Sequence, residues 1–119
     1  MKKEFIPYEQ ALALKELGFD EPCFGYYNVH NQELIEDLSN NRTGNNDSRW
    51  VSAPLYQQAF RWFRNEHGMS GSIQIEHDAY QWSIFEEGET SGLASDNWDG
   101  TDYEEAELAC LEKLIEMAH

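Results

Sequence analysis

SAPLYQQAFRWFRNEH, residues 52–67, carries the clearest helical pattern and the most aromatic bulk in the chain. Leu55, Ala59, Trp62 and Phe63 fall at i, i+4, i+7 and i+8, with Tyr56 and Phe60 widening the stripe, which is the spacing of a helix face pressed onto a core. Ser52 is the expected N-cap, accepting a backbone N–H bond, and Pro54 sits early enough that its missing donor costs nothing. Gly68 supplies the residue that ends the helix, and Met69 is placed to fold back on it.

Toward the N-terminus lies SNNRTGNNDS, residues 39–48, with four Asn and no apolar residue to bury, which predicts an exposed loop. Before it, CFGYYNV at 23–29 is dense in aromatic residues without helical spacing and predicts a strand. His30, Asn31 and Gln32 turn the chain into a short second strand at 33–37, carrying Leu34 and Ile35. Residues 7–17 predict a helix with Pro7 in its first turn and Glu9 near the positive end of its dipole. Tyr8, Ala11, Leu12 and Lys15 mark one side, and Leu14 and Leu17 extend the apolar face. Gly18 closes this helix, with Phe19 placed to pack back on Leu14.

Toward the C-terminus, 72–76 and 80–85 predict a hairpin in which Ile73 and Ile75 share a buried face with Tyr80, Trp82 and Ile84. Pairing Ile75 with Trp82, and Ile73 with Ile84, puts Asp78 and Ala79 at the turn. Residues 86–100, EEGETSGLASDNWDG, are acidic and Gly-rich and read as irregular. Thr101 and Glu104 then frame a capping box for a last helix that runs to about 117 and buries Leu108, Leu111, Leu114, Ile115 and Ala118, with Cys110 toward the edge. The expected order is αββαββα, an α+β fold in a single domain over residues 1–119. Its four strands would form an antiparallel sheet with helices packed on one face. The two ββα halves show no repeat of sequence, but they raise the question of a duplicated architecture.

Charge is the most unusual property of the chain: 23 Asp and Glu against 8 Lys and Arg, net −15. Between Asn65 and Glu112 there are 13 acids and no Lys or Arg. Direct binding to nucleic acid is disfavoured, because that affinity rests on cations neutralising phosphates; a basic partner, or a site normally occupied by nucleic acid, is allowed, and the plainer reading is that the acids keep a small aromatic-rich protein in solution. Six Phe, six Tyr and four Trp supply a core, so the chain need not rely on a disulfide or a metal to fold. Cys23 and Cys110 lie far apart in no ligand-spaced cluster and read as buried thiols of a reducing compartment. Glu4 and Glu9 interrupt any signal-peptide core, and no apolar run reaches membrane-spanning length, so a cytoplasmic location with no membrane partner is expected.

Catalytic chemistry finds no foothold in the motifs. The four His residues show no H-E-x-x-H or paired spacing, and Asp96, Asp99 and Asp102 miss the calcium-loop pattern because Trp98 and Gly100 occupy ligand places. Gly68-Met69-Ser70-Gly71-Ser72 lacks the final Gly of a nucleophile elbow and lies between helix and strand, the reverse of the elbow's context. Neither a Walker loop nor a dinucleotide fingerprint is present, and no catalytic, cofactor-binding or metal-ligating residue is assigned. Arg61 and Arg64 flank the buried-stripe residues Trp62 and Phe63 and are expected to pair with acids.

Two stretches, APLYQQAFRWFRNEH at 53–67 and YEEAELACLEKLI at 103–115, resemble segments of small uncharacterised proteins encoded by phages, prophages and mobile elements of Bacteroides-type bacteria. In those, a helix of the A-F-R-W-F-R-E kind precedes an aromatic hairpin and a final Y-E-E-A-E-L-A-C-L-x-K-L-I helix. YEQALALKELGFDEPCFGYY at 8–27 is similar to the same group. The resemblance implies a phage or prophage origin and brings no activity with it.

The leading expectation is a non-enzymatic accessory protein that binds a host or phage protein. Its candidate interaction surface comprises Trp50, Glu86, Glu87, Glu89, Asp96, Trp98, Asp99 and Asp102, the two Trp being the aromatics least explained by periodicity. A second expectation is an acidic mimic of nucleic-acid phosphates that occupies a basic groove; it requires these acids to share one surface with Glu104, Glu105 and Glu107. A third, a small-molecule binder or enzyme, requires an apolar pocket with converging polar groups.

Overall fold

Ala53 precedes a proline, which restricts it to extended backbone, so a helix cannot begin before Pro54. The computed structural model, which describes residues 4–36, 48–76, 79–86, 92–98 and 103–119, shows the consequence. Trp50–Ser52 is a strand and the helix starts at Tyr56. Ser52 is therefore not the N-cap expected from the sequence: it is buried in a ladder opposite Tyr26. Pro54 lies outside the helix too, its carbonyl accepting the Ile6 N–H at 3.0 Å. The helix, Tyr56–His67, otherwise follows its stripe, with Tyr56, Ala59, Trp62 and Phe63 buried and Arg61 and Arg64 exposed. It ends at Gly68, whose φ is +67°.

In chain order the elements are α1 (Tyr8–Glu16), β1 (Gly25–Asn28), β2 (Leu34–Glu36), β3 (Trp50–Ser52), α2 (Tyr56–His67), β4 (Met69–Glu76), β5 (Ala79–Glu86), β6 (Gly92–Trp98) and α3 (Tyr103–Ala118). The fold is α+β with antiparallel strands throughout, as the sequence predicts. Among the described residues two strands beyond the expected four are present, β3 and β6, and in place of one four-stranded sheet the six form two three-stranded sheets, β2-β1-β3 and β4-β5-β6. The chain forms two compact units, Met1–Gln58 and Ala59–His119, whose boundary falls within α2.

In the first unit α1 lies against β3. Phe19 N–H donates to the Leu14 carbonyl at 2.9 Å and Gly18 N–H to the Lys15 carbonyl at 3.1 Å, a Schellman cap made possible by φ +99° at Gly18. Leu14 and Phe19 are both buried, as their spacing predicts. The Tyr27 hydroxyl donates to the Ile6 carbonyl at 2.7 Å, and the Tyr27 ring meets Tyr8 edge-on at 5.6 Å. The turn into β2 carries Gln32 at φ 58°, held by the Asn28 and Asn31 side chains, which accept the N–H groups of His30 and Glu33. The 39–47 part of the expected polar loop lies outside the described residues.

In the second unit α3 lies across β4 and β5. A Cβ at Gly71 would stand 2.9 Å from Cys110 Sγ and 3.2 Å from Leu114 Cδ1, so the bare glycine is what lets this helix close on the sheet. That contact buries Cys110 fully instead of leaving it at the helix edge, while Leu108 and Ala118, expected in the core, are only half-buried. The hairpin register also differs from expectation: Ile73 pairs with Trp82, Ile75 with Tyr80 and Gly71 with Ile84, and the last pair is Glu76 with Ala79. Ala79 is thus a strand residue. The expected register is displaced by two residues, which keeps every side chain on its face but moves Ile75 to the hairpin end.

β6 falls where an irregular segment is expected. Its GLASDNW sequence has poor intrinsic strand preference, and it is recruited by pairing with β5 from Tyr80↔Trp98 to Phe85↔Gly92, with a shift in register between Ile84 and Phe85. Thr101, and with it the expected capping box, lies outside the described residues.

Candidate interaction surface

Ile75 is a large aliphatic side chain on an eight-residue strand, and it is 73% exposed. Its cross-strand partner Tyr80 carries the row onto β5, where the Tyr80 ring meets Tyr103 at 5.6 Å in an edge-on contact. Tyr103, the first residue of α3, is itself 44% exposed. The backbone of Trp98 pairs with Tyr80 on the other side. Ile75, Tyr80 and Tyr103 therefore form an apolar and aromatic corner where α3 begins over the end of the β4–β5 hairpin.

Glu104 and Glu107 border that corner, at i+1 and i+4 from Tyr103 on the same helix. Partial burial, and then the neighbouring charge of Glu104, push the Glu107 carboxyl up to about 7. Tyr103 is raised as well, by burial first and then by Glu107 and Glu104. Both shifts record an excess of negative charge beside low-dielectric surface.

The residues expected to form the surface are distributed as follows. Trp50 is half-buried in the first unit, edge-on to Tyr26 at 5.0 Å, with the Arg49 guanidinium 5.9 Å from its ring centre. Its carbonyl accepts Lys15 Nζ at 3.0 Å, so the residue fastens α1 to β3. Glu86 is exposed at the end of β5 opposite Met69, six residues along the strand from Tyr80, and thus about 20 Å from the tyrosine corner. Asp96 and Trp98 stand on β6 at the positions paired with Trp82 and Tyr80. Glu87, Glu89, Asp99 and Asp102 lie outside the described residues. Ile75, Tyr80 and Tyr103 are not singled out by the sequence as a surface, and Glu107 enters there only as one of the acids that the phosphate-mimic expectation groups together. The available signal is the hairpin length: ending the ladder at Glu76 and Ala79 leaves only two residues between strands, the commonest hairpin connection, and places Ile75 next to the turn end.

Among the described residues no group of His, Cys, Asp or Glu is arranged to hold a metal ion, and no helix is long and apolar enough to cross a membrane. Both cysteines are free and buried. Burial, chiefly, pushes each thiol up to about 12, with Glu21 adding to the rise at Cys23 and Glu107 at Cys110. His67 packs against the Trp62 and Phe63 rings at 5.0 and 5.6 Å. Comparison of the chain with protein-family models, with curated proteins and with solved structures gives no match.

Proposed function

We propose that this chain is an accessory protein of the phage or mobile-element type that acts by binding another protein through the Ile75–Tyr80–Tyr103 corner. The observation that carries this reading is the 73% exposure of Ile75 in direct register with Tyr80. An aliphatic side chain left in water, joined to an aromatic pair and bordered by carboxylates, has the makeup of an interface centre with a polar rim. The resemblance of the helical stretches to phage-encoded proteins supplies the biological setting. The test is affinity capture from lysate of the cognate bacterium with three baits: wild type, Ile75→Asp and the control Gln57→Asp, an equally surface-placed change on α2. A partner retained by wild type and the control but lost from Ile75→Asp is expected; no partner that distinguishes the baits would overturn the reading.

A second reading is favoured by a separate observation: the second unit holds 14 acids and only Arg61, Arg64 and Lys113 as Lys or Arg. Such a surface suits mimicry of nucleic-acid phosphates toward a basic groove. In that case the captured partner is a nucleic-acid-binding protein, duplex DNA competes for it, and retention falls steeply with salt.

A further inference from the structure

The second unit combines an exposed apolar corner with a strong excess of acids, and together they define the chemistry of an occupant. Tyr103, Glu104 and Glu107 occupy one side of the first turns of α3, and the Tyr80 ring lies against Tyr103 at 5.6 Å. No Lys or Arg occurs in the sequence between Asn65 and Glu112, so the stretch that carries the corner is rich in acids and contributes no cation of its own. A second copy of the chain, with net charge −15, would bring like charge to the corner and is the wrong occupant.

We propose that the corner formed by Ile75, Tyr80, Tyr103, Glu104 and Glu107 docks a basic segment of a partner protein, with a Lys or Arg head against the two carboxylates and the tyrosine rings and an apolar side chain on Ile75. The inference rests on the interaction reading above and adds the partner's chemistry to it. Tyrosine faces attract cations, and an ammonium or guanidinium beside a carboxylate forms a charge-assisted hydrogen bond. Among the described residues, the titratable groups that interact with Glu107 are Tyr103, Glu104 and Cys110 on α3, and Tyr80 on β5 acts on Tyr103; the β4 residues on the same face, Met69, Gly71, Ile73 and Ile75, carry none.

Docking is therefore coupled to a proton. Glu107 is partly protonated near neutral pH, and an arriving cation favours its ionised form, so binding expels a proton and tightens as pH rises through about 7. Between pH 8 and pH 6 the expected weakening is up to about tenfold, one pKa unit of linkage.

The experiment uses the full chain and a fluorescent peptide of alternating Lys and Leu, with the corresponding Glu and Leu peptide as comparison. Wild type should bind the Lys peptide in a salt- and pH-dependent way and ignore the Glu peptide. Ile75→Ser and Glu107→Gln should each weaken binding at least about fivefold at pH 8, Glu107→Gln should flatten the pH dependence, and Glu112→Gln, an exposed acid further along α3, should change little. Calorimetry of wild type in two buffers of different ionisation enthalpy should show proton release on binding at pH 7, a readout that needs no variant. Equal losses from Glu107→Gln and Glu112→Gln, an Ile75→Ser variant that binds like wild type, or the absence of proton release would overturn the proposal. An Ile75-dependent captured partner whose retention ignores salt and Glu107→Gln would remove the basic occupant and leave the interaction reading standing.

Discussion

The two units are assembled from similar parts, a three-stranded antiparallel sheet with a helix against it, yet they treat their polar groups differently. In Met1–Gln58 long-range side-chain bonds tie one element to another: Lys15 to the Trp50 carbonyl, Tyr27 to the Ile6 carbonyl, and Gln58 to Glu21 and the Pro22 carbonyl. In Ala59–His119 two buried polar atoms, Ser72 Oγ and Trp82 Nε1, have no hydrogen-bond partner among the described residues, and Ile75 and Tyr103 face water. Charge divides the same way. Nine acids against five Lys and Arg leave the first unit at −4, whereas fourteen against three leave the second at −11. The shared construction shows how a small α+β unit reaches a core, and the difference shows where selection for something other than folding would act. The units are not duplicates, because β1 is central and comes first in its sheet while β5 is central and comes second in a meander.

If the two cores are equivalent, they should be equally intolerant of cavities. Leu14→Ala and Leu114→Ala, both at fully buried positions, should each cost about 2–5 kcal/mol in urea unfolding. A near-neutral result in one unit alone would break the equivalence. Each sheet also admits a neighbour through a glycine, Gly25 beneath Phe5 at 2.8 Å from a would-be Cβ and Gly71 beneath Cys110 at 2.9 Å. Gly25→Ala and Gly71→Ala should each cost about 1–3 kcal/mol by overpacking. Cys110→Ala should recover part of the Gly71→Ala loss and none of the Gly25→Ala loss, which double-mutant cycles measure directly.

A smaller effect separates the units by pH. Glu107 has a folded pKa of about 7 against an ordinary value of 4.5, so the native state holds this proton more tightly than the unfolded chain. Its contribution is fully present below about pH 4.5 and is lost as pH rises through about 7, so the acid destabilises the fold at pH 8. Glu107→Gln should restore about 1 kcal/mol at pH 8, after allowance for solvent screening, and almost nothing at pH 4. Thermal melts of wild type and variant across that range check the sign. The smallest contrast is expected at the thiols: Cys23 and Cys110, each pushed up to about 12, should both stay silent to a disulfide reagent at neutral pH until urea opens the fold.

What could be read from sequence follows from the reach of each signal. The stripe of Ala59, Trp62 and Phe63 and the Gly18–Phe19 cap are local patterns of period 3.6 and its termination, and both appear in the structure. Ser52 departs from the cap role its position suggests because its helix-cap chemistry competes with a strand partner, Tyr26, twenty-six residues away. At the candidate surface, Trp50 was legible as an unusual aromatic, but its role as a fastening for α1 depends on Lys15 from another element. Ile75 was legible as a strand residue and illegible as an exposed one.

The amino-acid sequence by itself determined three helices, the α+β class, free buried cysteines and the concentration of acids in the second half, because each depends on composition or on neighbours within a few turns. Tertiary structure alone decided that GLASDNW becomes β6, that Cys110 closes on Gly71, and that Ile75 stands beside Tyr80 and Tyr103 in the open. The reason is the symmetry of a strand: a slip of two residues leaves its alternation unchanged, so only the hydrogen bonds of the partner strand and the helix laid across it can choose which isoleucine is covered.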